Sequence, residues 1–194
     1  MDLFHYLKIN RREFPRRLVG SCSGELIIIG TARCVWEDIR GLCQTKNVMC
    51  VNDIGMHYPG PFIWWYSNEI EQLIHWNEGR HKPFKKRYSD GHQLISACKR
   101  DGEDYRDVHH FPVPCQGGSG VAAVLVALIL GYDDITCAGM PFDNSGHYYN
   151  PPTFSDRGHF WSDFVSETPD NLLENLKPLW KGKVKFLSGR MMDE

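Results

Sequence analysis

An α/β fold is predicted by three features of the sequence. Short β-branched apolar runs alternate with segments of helical apolar spacing, each run closes on glycine or a polar residue, and the longest apolar segment opens on a Gly-Gly-Ser-Gly turn. Continuous apolar runs suit strands covered on both faces, and their alternation with helices implies a parallel sheet with right-handed crossovers. At 194 residues the chain has room for one sizeable core and too little for two ordinary domains. The expectation is a single Rossmann-like domain over residues 25–194, an open, mostly parallel sheet with helices on both faces, preceded by a lead-in at residues 1–24.

The lead-in places Arg11, Arg12, Arg16 and Arg17 around Phe14 and Pro15 and ends in Gly20-Ser21-Cys22-Ser23-Gly24, which reads as a short helical segment followed by a loop. Glu25-Leu26-Ile27-Ile28-Ile29-Gly30 is the first strand. Residues 31–43 follow with Val35, Ile39 and Leu42 at helical spacing, completing a first strand–helix unit. Asn47-Val48-Met49-Cys50-Val51-Asn52 is the second strand, and Phe62-Ile63-Trp64-Trp65-Tyr66-Ser67 the third; residues 68–76 read as helix. Residues 77–107 are polar and weakly periodic, with one strand at 92–97; the basic run from Arg80 to Arg87 reads as a solvated loop. After Gly117-Gly118-Ser119-Gly120 come an apolar helix over 121–130, a C-cap at Gly131 and a strand over 134–139. A loop over 144–158, a helix in the second half of 160–179 and a strand over 184–187 complete the chain.

Composition excludes several function classes. A formal net charge of −2 gives no general polyanion-binding character, so nucleic-acid contact would be local and is not favoured. The first ten residues have no uninterrupted apolar core, and residues 121–130 are about half the length of a bilayer crossing, so a cytoplasmic chain without membrane partners is expected. Seven scattered cysteines without a CxxC pair read as reduced thiols, several of them in the core, and no metal site is assigned to them. Neither GxGxxG nor GxxxxGK[ST] occurs, which disfavours an ordinary dinucleotide dehydrogenase and a P-loop ATPase.

Ligands of open α/β sheets bind beyond the carboxyl ends of the strands. The residues there are Thr31, Ala32 and Arg33 after the first strand, Asn52 and Asp53 after the second, Ser67 and Asn68 after the third, and Met140, Pro141 and Asp143 after Gly139. The turn Gly118-Ser119-Gly120 would present free backbone N–H groups and a helix dipole to a phosphate, with Ser119 as a plain N-cap the simpler reading. His147 and His159, close in sequence to Asp143, Asp156 and Asp163, are candidates for acid–base chemistry, and His-Asp clusters also suit a metal.

Three blocks then show a family likeness: residues 26–38; Val48-Met49-Cys50-Val51-Asn52-Asp53 leading to Trp65-Tyr66-Ser67; and Gly118-Ser119-Gly120-Val121 through Gly131-Tyr132 to Gly139-Met140-Pro141-Phe142-Asp143. In these the chain resembles the Rossmann-like superfamily of bacterial CMP-sialic-acid sialyltransferases and MptE-like 6-hydroxymethylpterin diphosphokinases, and a small phage-encoded type of relative. The resemblance implies a nucleotide held by Gly30, Thr31, Asn52, Ser119 and Gly120, and a catalytic base best matched by His159. Thr31-Ala32-Arg33 departs from the Gly-Pro-Ser turn usual in the relatives.

Three functions fit. A nucleotide-sugar glycosyltransferase would use His159 or His147 to activate an acceptor hydroxyl, with Ser119, Gly120 and Arg33 steadying the leaving phosphate. A diphosphokinase would use Asp53 and Asp143 to hold Mg²⁺ on ATP phosphates. A non-catalytic nucleotide-binding or phage-related interaction module is the third. The nucleotide-sugar transferase is favoured, with a small-molecule nucleotide donor and a hydroxyl acceptor as its partners.

Overall fold

The computed structural model describes residues 3–42, 47–84, 91–97, 105, 107–115, 118–141, 146–149 and 169–189. Seven strands, β1 (Glu25–Ile29), β2 (Val48–Val51), β3 (Trp64–Ser67), β4 (Gln93–Ser96), β5 (Val108–His110), β6 (Asp134–Ala138) and β7 (Val184–Phe186), form one sheet in the order β5-β4-β3-β2-β1-β6-β7. Every pairing is parallel. The α/β, Rossmann-like expectation holds, and the sheet is wholly rather than mostly parallel among the described residues.

The period-two alternation of each strand divides the core into two layers. On one face Leu26, Ile28, Met49, Val51, Trp64 and Tyr66 pack beneath α5 (Gly118–Leu130) and α6 (Pro169–Trp180). On the other face Ile27, Ile29, Val48, Cys50 and Trp65 pack with Val35 of α2 (Val35–Asp38), Ile54 of α3 (Ile54–His57) and Leu73 of α4 (Ile70–Phe84). Nine residues of α5 are buried, which is why its sequence is apolar all round. It ends at Gly131, whose φ of +109° permits its N–H to reach the carbonyls of Ala127 and Leu128 at 3.2 Å.

The lead-in is a short helix, α1 (Leu3–Tyr6), and a 3-10 turn, Arg11–Glu13, rather than one helical segment. Phe14 and Leu18 are buried in the α5 layer, and Phe14 meets Phe4 and Phe111 edge-on at 5.4 and 5.7 Å.

Several boundaries differ from expectation for local reasons. The helix expected over 31–43 shrinks to α2 and a 3-10 turn, Ile39–Gly41, because the backbone of Thr31 and Ala32 is bonded elsewhere, as described below. Strand β3 begins at Trp64, two residues later than expected. The apolar helix starts at Gly118, so Ser119 lies inside its first turn and is not its N-cap. Strand β5 was not expected, its three residues Val-His-His being too few and too polar to announce a strand.

The basic run is the largest correction. Helix α4 continues through Arg80 to Phe84, and Arg80 is 1% exposed, not solvated. Its guanidinium donates to the carbonyls of Gly55, Tyr58 at 3.0 Å and Gly60 at 3.4 Å, and it lies 4.5 Å over the ring of Phe62. Burial of this cation is offset by charge-assisted bonds and by the π-face beneath it.

Candidate functional site

The strand order reverses at β1: the chain leaves β1 toward β2 on one side, while β6 pairs on the other. A parallel sheet opens a crevice at such a switch point, beyond the carboxyl ends of the two strands. Here it is floored by glycines in close contact. A Cβ on Gly30 would lie 2.5 Å from the Gly139 carbonyl oxygen and from Met140 Cγ, and one on Gly139 would meet Val35 at 2.7 Å. Gly139 takes φ +64°, which suits glycine, and its carbonyl accepts the Ala32 N–H at 3.1 Å. Met140 Cε would lie 3.0 Å from a Cβ on Gly120, so the first turn of α5 abuts the same crevice.

Residues 146–149 close one side. Ala32 and His147 form an antiparallel bridge, Arg33 N–H donates to Gly146 O at 3.1 Å, and Tyr148 N–H to Thr31 O at 2.9 Å. This bridge takes up the backbone of residues 31–33 and starts α2 late. It also sets His147 Nδ1 2.8 Å from the Thr31 hydroxyl and stacks the His147 ring on Tyr149, 5.1 Å apart and 3° from parallel. Tyr148 OH donates to Asp53 Oδ2 at 2.9 Å, while its ring meets Trp36 and His57 edge-on at 5.8 and 5.6 Å. Burial and the neighbouring Asp53 carboxylate push the Tyr148 phenol well above its ordinary value, and the same two causes raise Tyr149. Tyr148 is therefore a neutral donor, and Tyr149, 59% exposed, presents its ring to solvent.

The polar pair after β2 is built differently. Asn52 adopts φ +56°, a conformation asparagine tolerates, and its side-chain carbonyl accepts the Ser67 hydroxyl at 3.0 Å. Ser67 Oγ in turn accepts the Glu69 N–H at 3.1 Å, and the Trp65 indole donates to Asn52 O at 2.7 Å. Asn52 and Ser67 thus tie the ends of β2 and β3 together. Asp53 begins α3 without a side-chain capping bond and is engaged by Tyr148.

Of the residues singled out from sequence, Gly30, Thr31, Arg33, His147 and Asp53 gather around the β1 turn, Asn52 and Ser67 pair beside it, and Gly118, Ser119 and Gly120 form the first turn of α5. Asp143 and His159 lie outside the described residues. Asp38 was not anticipated: its Oδ2 accepts the Gly139 N–H at 2.7 Å and the Ser188 hydroxyl at 2.8 Å, joining α2, β6 and the segment after β7. Cys34, 3.1 Å from that hydroxyl, is raised to about 11 chiefly by burial. Tyr148 and Tyr149 were missed as well, although the run His147-Tyr148-Tyr149 marks an aromatic turn next to a candidate base. Among the described residues, no three metal-ligating side chains converge. No helix among them is long and apolar enough to cross a membrane.

Comparison with solved structures finds the sialyltransferase CstII from Campylobacter jejuni in complex with a substrate analogue, cytidine-5'-monophosphate. The two superpose with a TM-score of 0.50 at 17% identity, over 84% of this chain and 79% of the other. The fold is sialyltransferase-like. The likeness spans most of both chains rather than a single strand–helix unit. No family model matches the sequence, and no curated protein matches it.

Proposed function

We propose that the chain is a nucleotide-sugar-dependent glycosyltransferase of the sialyltransferase-like kind, with the donor nucleotide in the crevice at the carboxyl ends of β1, β2 and β6. The observation that carries this reading is the crevice itself. Gly30, Gly139 and Gly120 let the carboxyl ends of β1 and β6 and the first turn of α5 close together around Met140, and a Cβ on Gly118, at the opening of that turn, would meet nothing within 4 Å. An uncovered glycine turn at a helix start lets a phosphate approach backbone donors closely. The bound nucleotide of the structural neighbour supports the same assignment.

In this reading Ser119, Gly120 and Arg33 bind the phosphate, and Asn52 and Ser67 hold the nucleoside end. A histidine takes the proton of the acceptor hydroxyl as its oxygen bonds to the transferred carbon. The bond from that carbon to the phosphate oxygen breaks, and its electron pair leaves with the nucleotide. His159 is the base implied by the family likeness. His147, its ring fixed by Thr31 and Tyr149, is the alternative. Of the two carboxylates that would hold Mg²⁺ in a diphosphokinase, Asp53 accepts the Tyr148 hydroxyl and Asp143 lies outside the described residues.

The test is a thermal-shift screen with CMP, UDP, GDP, ADP, ATP and their sugar conjugates, with and without Mg²⁺, because a ligand bound only by the folded state raises its stability. A shift with CMP or its sugar conjugate, lost in Asn52→Ala and Ser119→Ala, is expected. No shift with any nucleotide would overturn the reading, and an ATP shift that requires Mg²⁺ would favour a diphosphokinase. Hydrolysis or transfer of the donor that is undiminished in both His159→Ala and His147→Ala would remove the histidine base.

A further inference from the structure

Residues 8–17 carry five cations, Lys8, Arg11, Arg12, Arg16 and Arg17, against one carboxylate, Glu13, in a chain whose formal net charge is −2. All five cationic side chains are exposed. Arg11 lies 5.3 Å over the Phe4 ring, and among the described residues none of the five forms an ion pair. The backbone beneath them is held in place: Phe14 and Leu18 are buried, and the Asn10 side chain accepts the Arg12 N–H at 3.1 Å. Asn10, Arg11, Arg12, Arg16 and Val19 line an open concavity of about 460 Å³, within the size range of small-molecule sites.

Like charges gathered on an anchored backbone repel one another, and a bound anion relieves that repulsion. Guanidinium groups match phosphate oxygens with two parallel N–H bonds each, which makes clustered arginines better suited to phosphate than to a single carboxylate. The cluster sits over the β5 edge of the sheet, whereas the crevice is centred on β1. Phe14 packs on Phe111, which follows β5 at the far edge of the sheet, four strands from β1. At the usual strand spacing that is about 19 Å.

We propose that this concavity is a second anion site, which takes the phosphate of a phosphomonoester or diphosphate through Arg12 and Arg16, with Arg11 and Asn10 at its wall. The site is independent of the nucleotide reading. Its phosphate comes either from a soluble molecule or from a lipid headgroup, and the two sources separate experimentally.

The experiment titrates the full chain with pyrophosphate by calorimetry and, in parallel, measures its co-sedimentation with phosphatidylcholine vesicles with and without phosphatidic acid. Arg12→Ala/Arg16→Ala, Arg12→Lys/Arg16→Lys, Asn52→Ala and Ser119→Ala are compared with the parent. The alanine pair is expected to weaken binding at least roughly tenfold, the loss of one charge-assisted bond or more. The lysine pair retains part of the affinity; pyrophosphate held in the crevice is a separate binding event, weakened by Ser119→Ala and retained in the alanine pair. Pyrophosphate binding with this dependence identifies a soluble ligand, whereas binding only to phosphatidic-acid vesicles with the same dependence identifies a headgroup; either supports the site. Absence of both, affinity unchanged in the alanine pair, or loss of every binding event in Ser119→Ala would overturn it. The arginines are exposed, so unfolding curves of the alanine pair should overlay those of the parent.

Discussion

Replacing Gly30 by alanine tests the architecture of the crevice most directly. The added methyl would sit 2.5 Å from the Gly139 carbonyl oxygen, where ordinary contact begins at 3.4 Å, and the same distance from Met140 Cγ. Met140 can turn aside, but the carbonyl is backbone. It is held by the Ala32 N–H on one side, and the adjoining Gly139 N–H is held by Asp38 on the other. Relief therefore requires β1 and β6 to separate at their carboxyl ends or the Ala32 bond to break. Overpacking of this kind costs about 1–3 kcal/mol. In a chain of this length each kcal/mol lowers Tm by roughly 2–4 °C, so a fall of about 4–8 °C is expected for a mid-range cost. Thermal unfolding followed by circular dichroism, with urea unfolding as a second measure, reads it. A Tm within about 1 °C of the parent would refute the close approach of β1 and β6 at this point.

Gly120→Ala makes the complementary case: the nearest atom to its new methyl is the flexible end of Met140 at 3.0 Å, and alanine favours a helix over glycine by about 1 kcal/mol. Its Tm is expected to be unchanged or raised while the nucleotide-induced shift diminishes; equal shifts in parent and variant would remove the phosphate from the α5 turn. Asn52→Ala loses both the bond from Ser67 and a residue tolerant of φ +56°, for a destabilisation of about 1–3 kcal/mol by urea unfolding, and Asn52→Gly should recover the backbone part of that loss. Arg80→Met leaves the carbonyls of Gly55, Tyr58 and Gly60 without their guanidinium, costing about 3 kcal/mol, and Arg80→Lys, lacking the fork, should restore little; stability equal to the parent in the methionine variant would contradict the buried clamp. For pH, burial and Asp53 raise the Tyr148 phenol above its unfolded value of 10.0, so the folded state favours the protonated form. Its contribution is fully present below pH 10 and is lost as pH rises above it, because the unfolded phenol ionises first. Stability measured from pH 9 to 11 should fall less steeply in Tyr148→Phe, and parallel curves would sink the assignment.

Much of the architecture was legible along the chain because its signals are local. Leu26-Ile27-Ile28-Ile29, Val48-Met49-Cys50-Val51 and Trp64-Trp65-Tyr66 are buried on both faces, and a strand so placed must be apolar throughout. The long apolar helix ahead of β6 and the glycine that ends it obey the same logic. Element type, the parallel pairing it implies, and the end of the sheet where polar and small residues collect all follow from such patterns. The extent of α4 did not, because Arg80 reads as solvated until the carbonyls of α3 and the residue after it, more than twenty residues earlier, surround it.

Tertiary structure alone decided which side chains meet. Residues 31–33 and 146–149 are far apart in sequence, yet their bridge brings His147 to Thr31 and Tyr148 to Asp53. Asp38, unremarked in its segment, becomes the acceptor for Gly139 and Ser188. The strand order, and with it the switch point between β1 and β6, is also a property of the assembled sheet. Local periodicity reports whether a residue faces a core, since burial acts on each side chain where it stands. Hydrogen-bond partners across the crevice are chosen by long-range chain closure, which leaves no periodic trace in the sequence.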